Sequence, residues 1–444
     1  MAEIIPFRAL HYDTQTVGEL AKVVTQPYDK ISPEMQARYY ELSPYNLVRI
    51  IRGQTRAADT PLENVYTRAA RYLHDWIENQ ILISETEPAL YPYCQEYSLA
   101  GQPEAKRLRR GFIALCRVED YDTRVIHRHE ETLSGPKVDR LELLKATRAH
   151  FGQIFVLYSD PSGEIELALS REVRGKPWQS VVDEDSATHS VWRVTNPLLI
   201  ERIVEAMRPK KLAIADGHHR YETALAYRNL CRERGEEASP AEYVMMTFIR
   251  METDGLTILP THRVLHSLPN FDWRGFINDA RELFNWKAIK LNPSREGAAH
   301  FQQALERAGL ECPTFGVFAG PEAQGLLSLR RDVNLAHVLP DVASSLARLD
   351  VVILHRLLLE RVLGIDRQAV REEKTLHYVR EFDSALRMVE TGKAQLCFLM
   401  NSTPVQAVWE NALAGQVLPQ KSTDFYPKLL SGLTAYWLDN PDGI

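Results

Sequence analysis

The chain has 444 residues, 45% of them hydrophobic and 25% charged, with a formal net charge of −6. A domain usually takes roughly 100–200 residues, so this length suggests two or three. The acidic balance argues against a broad nucleic-acid surface, which needs clustered Lys and Arg.

The five cysteines are odd in number and scattered, with no CxxC pair. That excludes a disulfide framework and an obvious zinc site, and fits a reducing, cytoplasmic setting. The N-terminus lacks the basic and apolar regions of a signal peptide, and no apolar run approaches the roughly 18 residues of a membrane span.

In chain order, residues 61–81 carry apolar side chains at helical spacing, with Pro61 near the start. Two strands follow around a turn at 101–103, with the basic run KRLRR (106–110) expected as a solvated shoulder of that hairpin. Then come a helix from Pro136, the strand GQIFVLYSD, and a helix from Asn196 with Pro197 in its first turn. Next are the strand KKLAIA, a helix from about Arg220 to Gly235, and the strand EYVMMTFIRM. Beyond, residues 343–365 read as one long helix, QLCFLMN as a strand, and PVQAVWENALAG as a helix. The alternation predicts an α/β, or mixed α+β, protein. Breaks near 265 and 340 divide it into a core over 1–265, a small α/β segment over 266–340, and a C-terminal segment over 341–444 whose PQKSTDFYPK loop folds back on the core.

The most informative stretch is IADGHHRYETALAYRNL, 214–230. A buried strand that ends in Asp-Gly and feeds a helix presents backbone N–H groups and the positive end of the helix dipole. Gly217 permits a tight turn or a close approach. Arg220 offers a fork of donors to phosphate, and His218 and His219 add donors and a route for a proton. Asp216 would repel bare phosphate, so it suits Mg²⁺, a substrate hydroxyl or a helix cap. The bland alternative is a capped helix with surface histidines.

A second polar cluster spans 126–149, with His127, His129, Glu130, Glu131, Thr132, Lys137, Asp139 and Arg140. Glu130 suits a general base beside phosphate donors. Lys137, Asp139 and Arg140 read equally well as charge pairing in a first helical turn. His127 and His129, two apart, could share a strand face, but a third metal ligand is not evident. A third cluster, LPQKSTDFYPKLLSGL (418–433), sets Lys421, Ser422, Thr423 and Lys428 among prolines. It lacks the glycines of a Walker A loop. Turns are the simpler reading of TQPYDKIS, with Asp29, and LPTHRVLHSL, with His262 and Arg263.

Four segments together, IPFRAL…QPYDKIS, HEETLSGPKVDRLELLKATRA…IFVLY, IADGHHRYETA and PQKSTDFYPKLLSGL, resemble the HHR-motif family catalogued as domain of unknown function 1015. The resemblance runs from about residue 4 to residue 437. The Asp-Gly-His-His-Arg element is also similar to the phosphate-binding turn of ParB/sulfiredoxin-like free serine kinases, with Asp216, Gly217, His218 and Arg220 on the matching positions and His219 where those enzymes vary. His218 stands where sulfiredoxin has its cysteine, which argues against sulfur reduction. No glutamate motif of the kinases is evident, so Glu130 is chosen as base on chemical grounds.

The resemblance implies a ParB/sulfiredoxin-like core and phosphorylation of free L-serine by ATP or ADP with Mg²⁺. Phosphate would lie on Gly217, His218, His219 and Arg220, with Lys137, Arg140, Lys421, Ser422, Thr423 and Lys428 assisting. Asp216 would hold the metal or the hydroxyl, and Glu130 would take the proton. The alternatives are a ParB-like nucleotide-sensing module that binds nucleic acid or a protein, or a phosphatase or nuclease on the same anion site. No convincing recognition helix accompanies the first. The acceptor, the choice of ATP or ADP, and the oligomeric state stay open.

Overall fold

A computed structural model describes residues 1–99, 102–130, 134–237, 239–290 and 295–440. Gly101 of the expected hairpin turn, and Glu131 and Thr132 of the second polar cluster, lie outside the described residues. The protein is mixed α/β, as the alternation predicts. It divides into two compact units. The first holds Met1–Arg128, Thr132–Leu256 and Pro427–Ile444, and the second holds His129–Glu131 and Thr257–Tyr426. Local composition marks where a strand or helix stops, whereas units are set by which distant segments pack together. Among the described residues no helix is long and apolar enough to cross a membrane.

The main sheet of the first unit contains β1 (Ile4–Ile5), β2 (Tyr91–Leu99), β3 (Gln102–Arg117), β4 (Ile126–His127), β5 (Ile154–Tyr158), β6 (Gln179–Val182), β7 (Thr188–Val191), β8 (Leu212–Asp216) and β9 (Tyr243–Arg250). Its order is β4-β8-β5-β9-β3-β2-β7-β6, with β1 paired to β3. The β4–β8 and β5–β9 pairs are parallel and the other pairs antiparallel. Central strands covered on both faces read as unbroken apolar runs, and β8 does so from Leu212 to Ala215, all buried.

Side chains alternate across a strand. Phe112, Ala114 and Cys116 of β3 join Ile154, Val156, Ile214, Met246 and Phe248 in one core, which Ile203 and Met207 of helix Pro197–Met207 also enter. That helix is capped by Asn196, whose side chain accepts from Leu198 and Leu199. Gly111 lets β3 pass close to β9: a Cβ there would stand 2.3 Å from the Phe248 carbonyl oxygen. The opposite face is polar at its centre, with Gln95, Arg109, Gln153 and Thr247 all buried. The C-terminal segment of this unit runs along it, bridging Thr25 to Ser431, Leu10 to Ala435 and His150 to Tyr436.

The helix expected over 61–81 is Val65–Glu78. Asn64 fixes its start, because its side chain accepts from Tyr66 and Thr67 while Thr67 Oγ1 accepts from the Asn64 N–H. Ala69, Leu73 and Trp76 are its buried side.

The second unit carries a six-stranded sheet of β10 (His262–Leu265), β11 (Phe284–Ala288), β12 (Thr314–Phe318), β13 (Gln324–Leu329), β14 (Leu376–Val379) and β15 (Leu396–Leu399). The order is β11-β13-β12-β15-β10-β14, all antiparallel. The long helix expected over 343–365 is shorter and of two kinds. It begins as an α-helix at Asp350–Ile353 and widens into a π-helix at Leu354–Val362.

Candidate functional site

Strand β8 ends at Asp216, Gly217 takes φ +91°, and the helix His218–Glu233 begins at once. Gly217 brings no side-chain cap, so the first turn of this helix keeps its positive end for a ligand or for neighbouring side chains. The Arg220 guanidinium folds back over the turn: a Cβ on Gly217 would lie 3.0 Å from Arg220 Cζ, and one on Gly152 would lie 3.2 Å from Arg220 Cδ. Gly217→Ala is therefore expected to lose about 1–3 kcal/mol of stability, the cost of forcing a side chain into that backbone region. Urea denaturation measures it, and a loss below about 0.5 kcal/mol would show that the turn relaxes freely.

Asp216 is the centre of the site. Its Oδ2 is 3.6 Å from Arg220 Nη2 and 3.5 Å from Lys428 Nζ. Burial alone would raise its pKa, but Lys428, Arg220, Lys30 and His218 outweigh it and hold the carboxyl well below the usual range. The carboxylate is thus ionised at neutral pH and surrounded by more positive than negative charge. Arg220 also donates from Nη1 to the Gln153 carbonyl, so only part of its fork faces elsewhere.

Lys428 is held from below by groups that carry no obvious sequence signal. Gln95 Nε2 donates 2.9 Å to the Lys428 carbonyl. Arg109 donates from Nε to Gln95 Oε1 at 2.8 Å and from Nη2 to the Pro427 carbonyl, with its guanidinium 4.8 Å from the Phe155 ring centre. Arg109 is fully buried, and burial pushes its pKa down to about 10. The expectation that KRLRR is a solvated shoulder fails for this residue, because β3 turns Arg109 inward while Arg110 stays exposed. Gln95 reaches a second buried group: His189 is hydrogen-bonded to Tyr93 and to Asp183, 3.1 Å away, and Gln95 Nε2 approaches its ring at 3.3 Å.

The other expected residues are distributed as follows. In the first unit, His218 is buried at the helix start, and the His219 carbonyl accepts from Thr223. Lys137 pairs with Glu222. Arg140 is bound to Asp139, donates 2.7 Å to the Ile51 carbonyl, and lies 4.2 Å from the Tyr28 ring centre. In the second unit, Glu130 Oε1 accepts the Lys421 N–H at 2.9 Å, and Thr423 Oγ1 is 2.8 Å from His129 Nε2. Ser422 is buried and donates 2.5 Å to the Pro419 carbonyl. Arg263 donates 3.0 Å to the Lys421 carbonyl. Lys421 takes φ +57°, and its side chain is exposed.

The 418–433 loop is therefore not one cluster: Lys421, Ser422 and Thr423 belong to the second unit and Lys428 to the first. His127 and His129 do not share a strand face either. β4 ends at His127, whose Nε2 lies 3.0 Å from the Arg124 carbonyl, and His129 belongs to the other unit.

Among the described residues, no group of three or more His, Cys, Asp or Glu side chains is placed to hold a metal ion. One carboxylate between Lys428 and Arg220 does not make a resident Mg²⁺ site.

Comparison with known proteins gives the following. The family described as protein of unknown function (DUF1015) matches residues 4–352. No curated protein matches. Similar solved structures include a free serine kinase in complex with AMP, 12% identical, covering 68% of this chain and 83% of that one at a TM-score of 0.33. Another is SbnI with C-terminal truncation from Staphylococcus aureus, 10% identical over 72% of this chain and 85% of that one, TM-score 0.36. A conserved hypothetical protein from Pyrococcus furiosus is 12% identical over 72% and 90%, TM-score 0.33.

Proposed function

The chain belongs to the domain of unknown function 1015 family, and from the Asp216 site we propose that it is a small-molecule kinase, moving a phosphoryl group from ATP or ADP to a free hydroxy amino acid, L-serine in the first instance. The observation that carries the reading is the convergence of Lys428 and Arg220 on Asp216 at a glycine-led helix start. Phosphoryl transfer asks mainly for positioning and charge stabilisation, which such a mix of donors and one carboxylate supplies.

In this reading Lys428, Arg220 and the Gly217–His219 backbone hold phosphate. Lys428 serves as a point charge and Arg220 as a partly committed fork. Asp216 accepts a hydrogen bond from the acceptor hydroxyl and orients it. Its depressed pKa makes it a weak base, so it orients the hydroxyl rather than removing its proton; Glu130, the base expected from the sequence, belongs to the second unit. A Mg²⁺ on the nucleotide neutralises phosphate charge when bound. Lys137, Arg140, Ser422 and Thr423 keep structural roles, given the partners that already engage them.

The test is direct. Purified protein with Mg²⁺, L-serine and ATP or ADP should give O-phosphoserine, followed by phosphorus NMR. Folded protein that yields none with ATP, ADP or pyrophosphate would refute the serine-kinase reading. Hydrolysis of the nucleotide without an acceptor would favour a phosphatase on the same anion site.

A further inference from the structure

Adjacent residues on a strand face opposite ways, so Arg110 emerges on the other face of the sheet from Arg109. A cavity of about 370 Å³ opens there, within the range of small-molecule sites. Its walls are apolar and largely aromatic, with Leu108, Phe112, Tyr158, Leu169 and Trp192. Its polar groups are few and convergent. Glu166 Oε2 lies 3.1 Å from Arg250 Nε, and Glu166 Oε1 lies 3.6 Å from Arg110 Nη1. Two guanidinium groups thus share the one carboxylate of the lining.

We propose that this cavity is a binding site for a small aromatic monocarboxylate. The ring would lie against Phe112, Tyr158 and Trp192, where offset and edge contacts between rings are favourable. The carboxylate would accept from Arg110 and Arg250, matching their two charges together with Glu166. Burial holds the Cys94 thiol, also in the wall, at a pKa of about 11, so the cavity carries no thiolate to oppose an anion. The site is separate from the Asp216 turn and does not depend on the kinase reading.

Isothermal titration of the full chain with 2-naphthoate tests it. One saturable site is expected. 2-Naphthamide, which keeps the rings and loses the charge, should bind at least about tenfold more weakly, the loss of a charge-assisted hydrogen bond. Arg250→Gln and Arg110→Gln should each weaken 2-naphthoate by a similar factor; Arg110 is about half exposed, so its replacement leaves the core untouched. Ser170→Trp, at an exposed position on the cavity edge, should block binding by filling the space. No saturable binding to folded protein at millimolar 2-naphthoate would overturn the proposal. So would amide and acid binding alike, or binding that survives Ser170→Trp.

Discussion

Arg109→Leu is expected to destabilise the protein by about 2–5 kcal/mol while leaving the sheet order intact. The reason is not the guanidinium's own attraction, since desolvation disfavours it, as its lowered pKa shows. It is the acceptors left behind. Gln95 Oε1 and the Pro427 carbonyl both face Arg109, and an orphaned buried acceptor costs about 1–3 kcal/mol. Leucine also loses the stacking on Phe155. Urea denaturation with an unchanged m-value would establish the loss. Adding Gln95→Leu should not recover it, because Gln95 also donates to the Lys428 carbonyl, which would be orphaned in turn. If the single variant is as stable as the parent, water reaches these carbonyls and the lining beneath Lys428 is not closed. The same experiment bears on function: Lys428 is placed through its own carbonyl and that of Pro427, so the single variant should also weaken nucleotide binding per folded molecule.

Asp216→Asn is expected to lower the rate of phosphoserine formation by about 10²-fold, the cost of a poorly oriented hydroxyl, with nucleotide affinity unchanged or tighter when Mg²⁺ is absent. Asparagine keeps the shape and removes a negative charge beside Lys428 and Arg220, so phosphate meets less repulsion while the hydroxyl keeps only a neutral amide acceptor in place of a carboxylate. Steady-state kinetics with equilibrium titration of nucleotide separates the two effects. A variant that loses affinity but keeps kcat would make Asp216 a brace for the two cations, and the kinase reading would lose its central residue.

Asp216 also bears on acid stability. Its folded pKa lies below its unfolded value of about 4. Its contribution is therefore fully present above pH ~4 and is lost as pH falls through the folded pKa. His150 and His262, pushed down to about 4 by burial, act in the same direction over a higher window, because the unfolded chain takes up their protons from about pH 6.5 downward. The difference between parent and Asp216→Asn should thus be flat above pH 5 and shrink below 4. A difference that shrinks between pH 5 and 7 would mean that histidines, not Asp216, set it.

The sequence by itself determined the seam. An apolar run from Leu212 to Ala215, then Asp-Gly, then a helical pattern can be read locally, because the period of a strand, the freedom of glycine and the start of a helix depend on neighbours a few residues apart. The helix Val65–Glu78 was legible for the same reason, although its start moved to Asn64, where the cap is made. Tertiary structure decided what stands around the seam. KRLRR reads as one basic run, yet β3 buries Arg109 and exposes Arg110. Alternation alone could have raised that possibility, but not the choice of face, which depends on Gln95 and on Pro427 more than three hundred residues away. The 418–433 loop reads as one cluster of donors, yet Lys428 joins Asp216 while Lys421 and Thr423 meet Glu130 and His129. Nearness along the chain measures the cost of closing a loop, not which compact unit a residue joins. That choice follows from the burial of Phe425, Leu429 and Leu430, whose apolar area outweighs the modest entropy of a long closure.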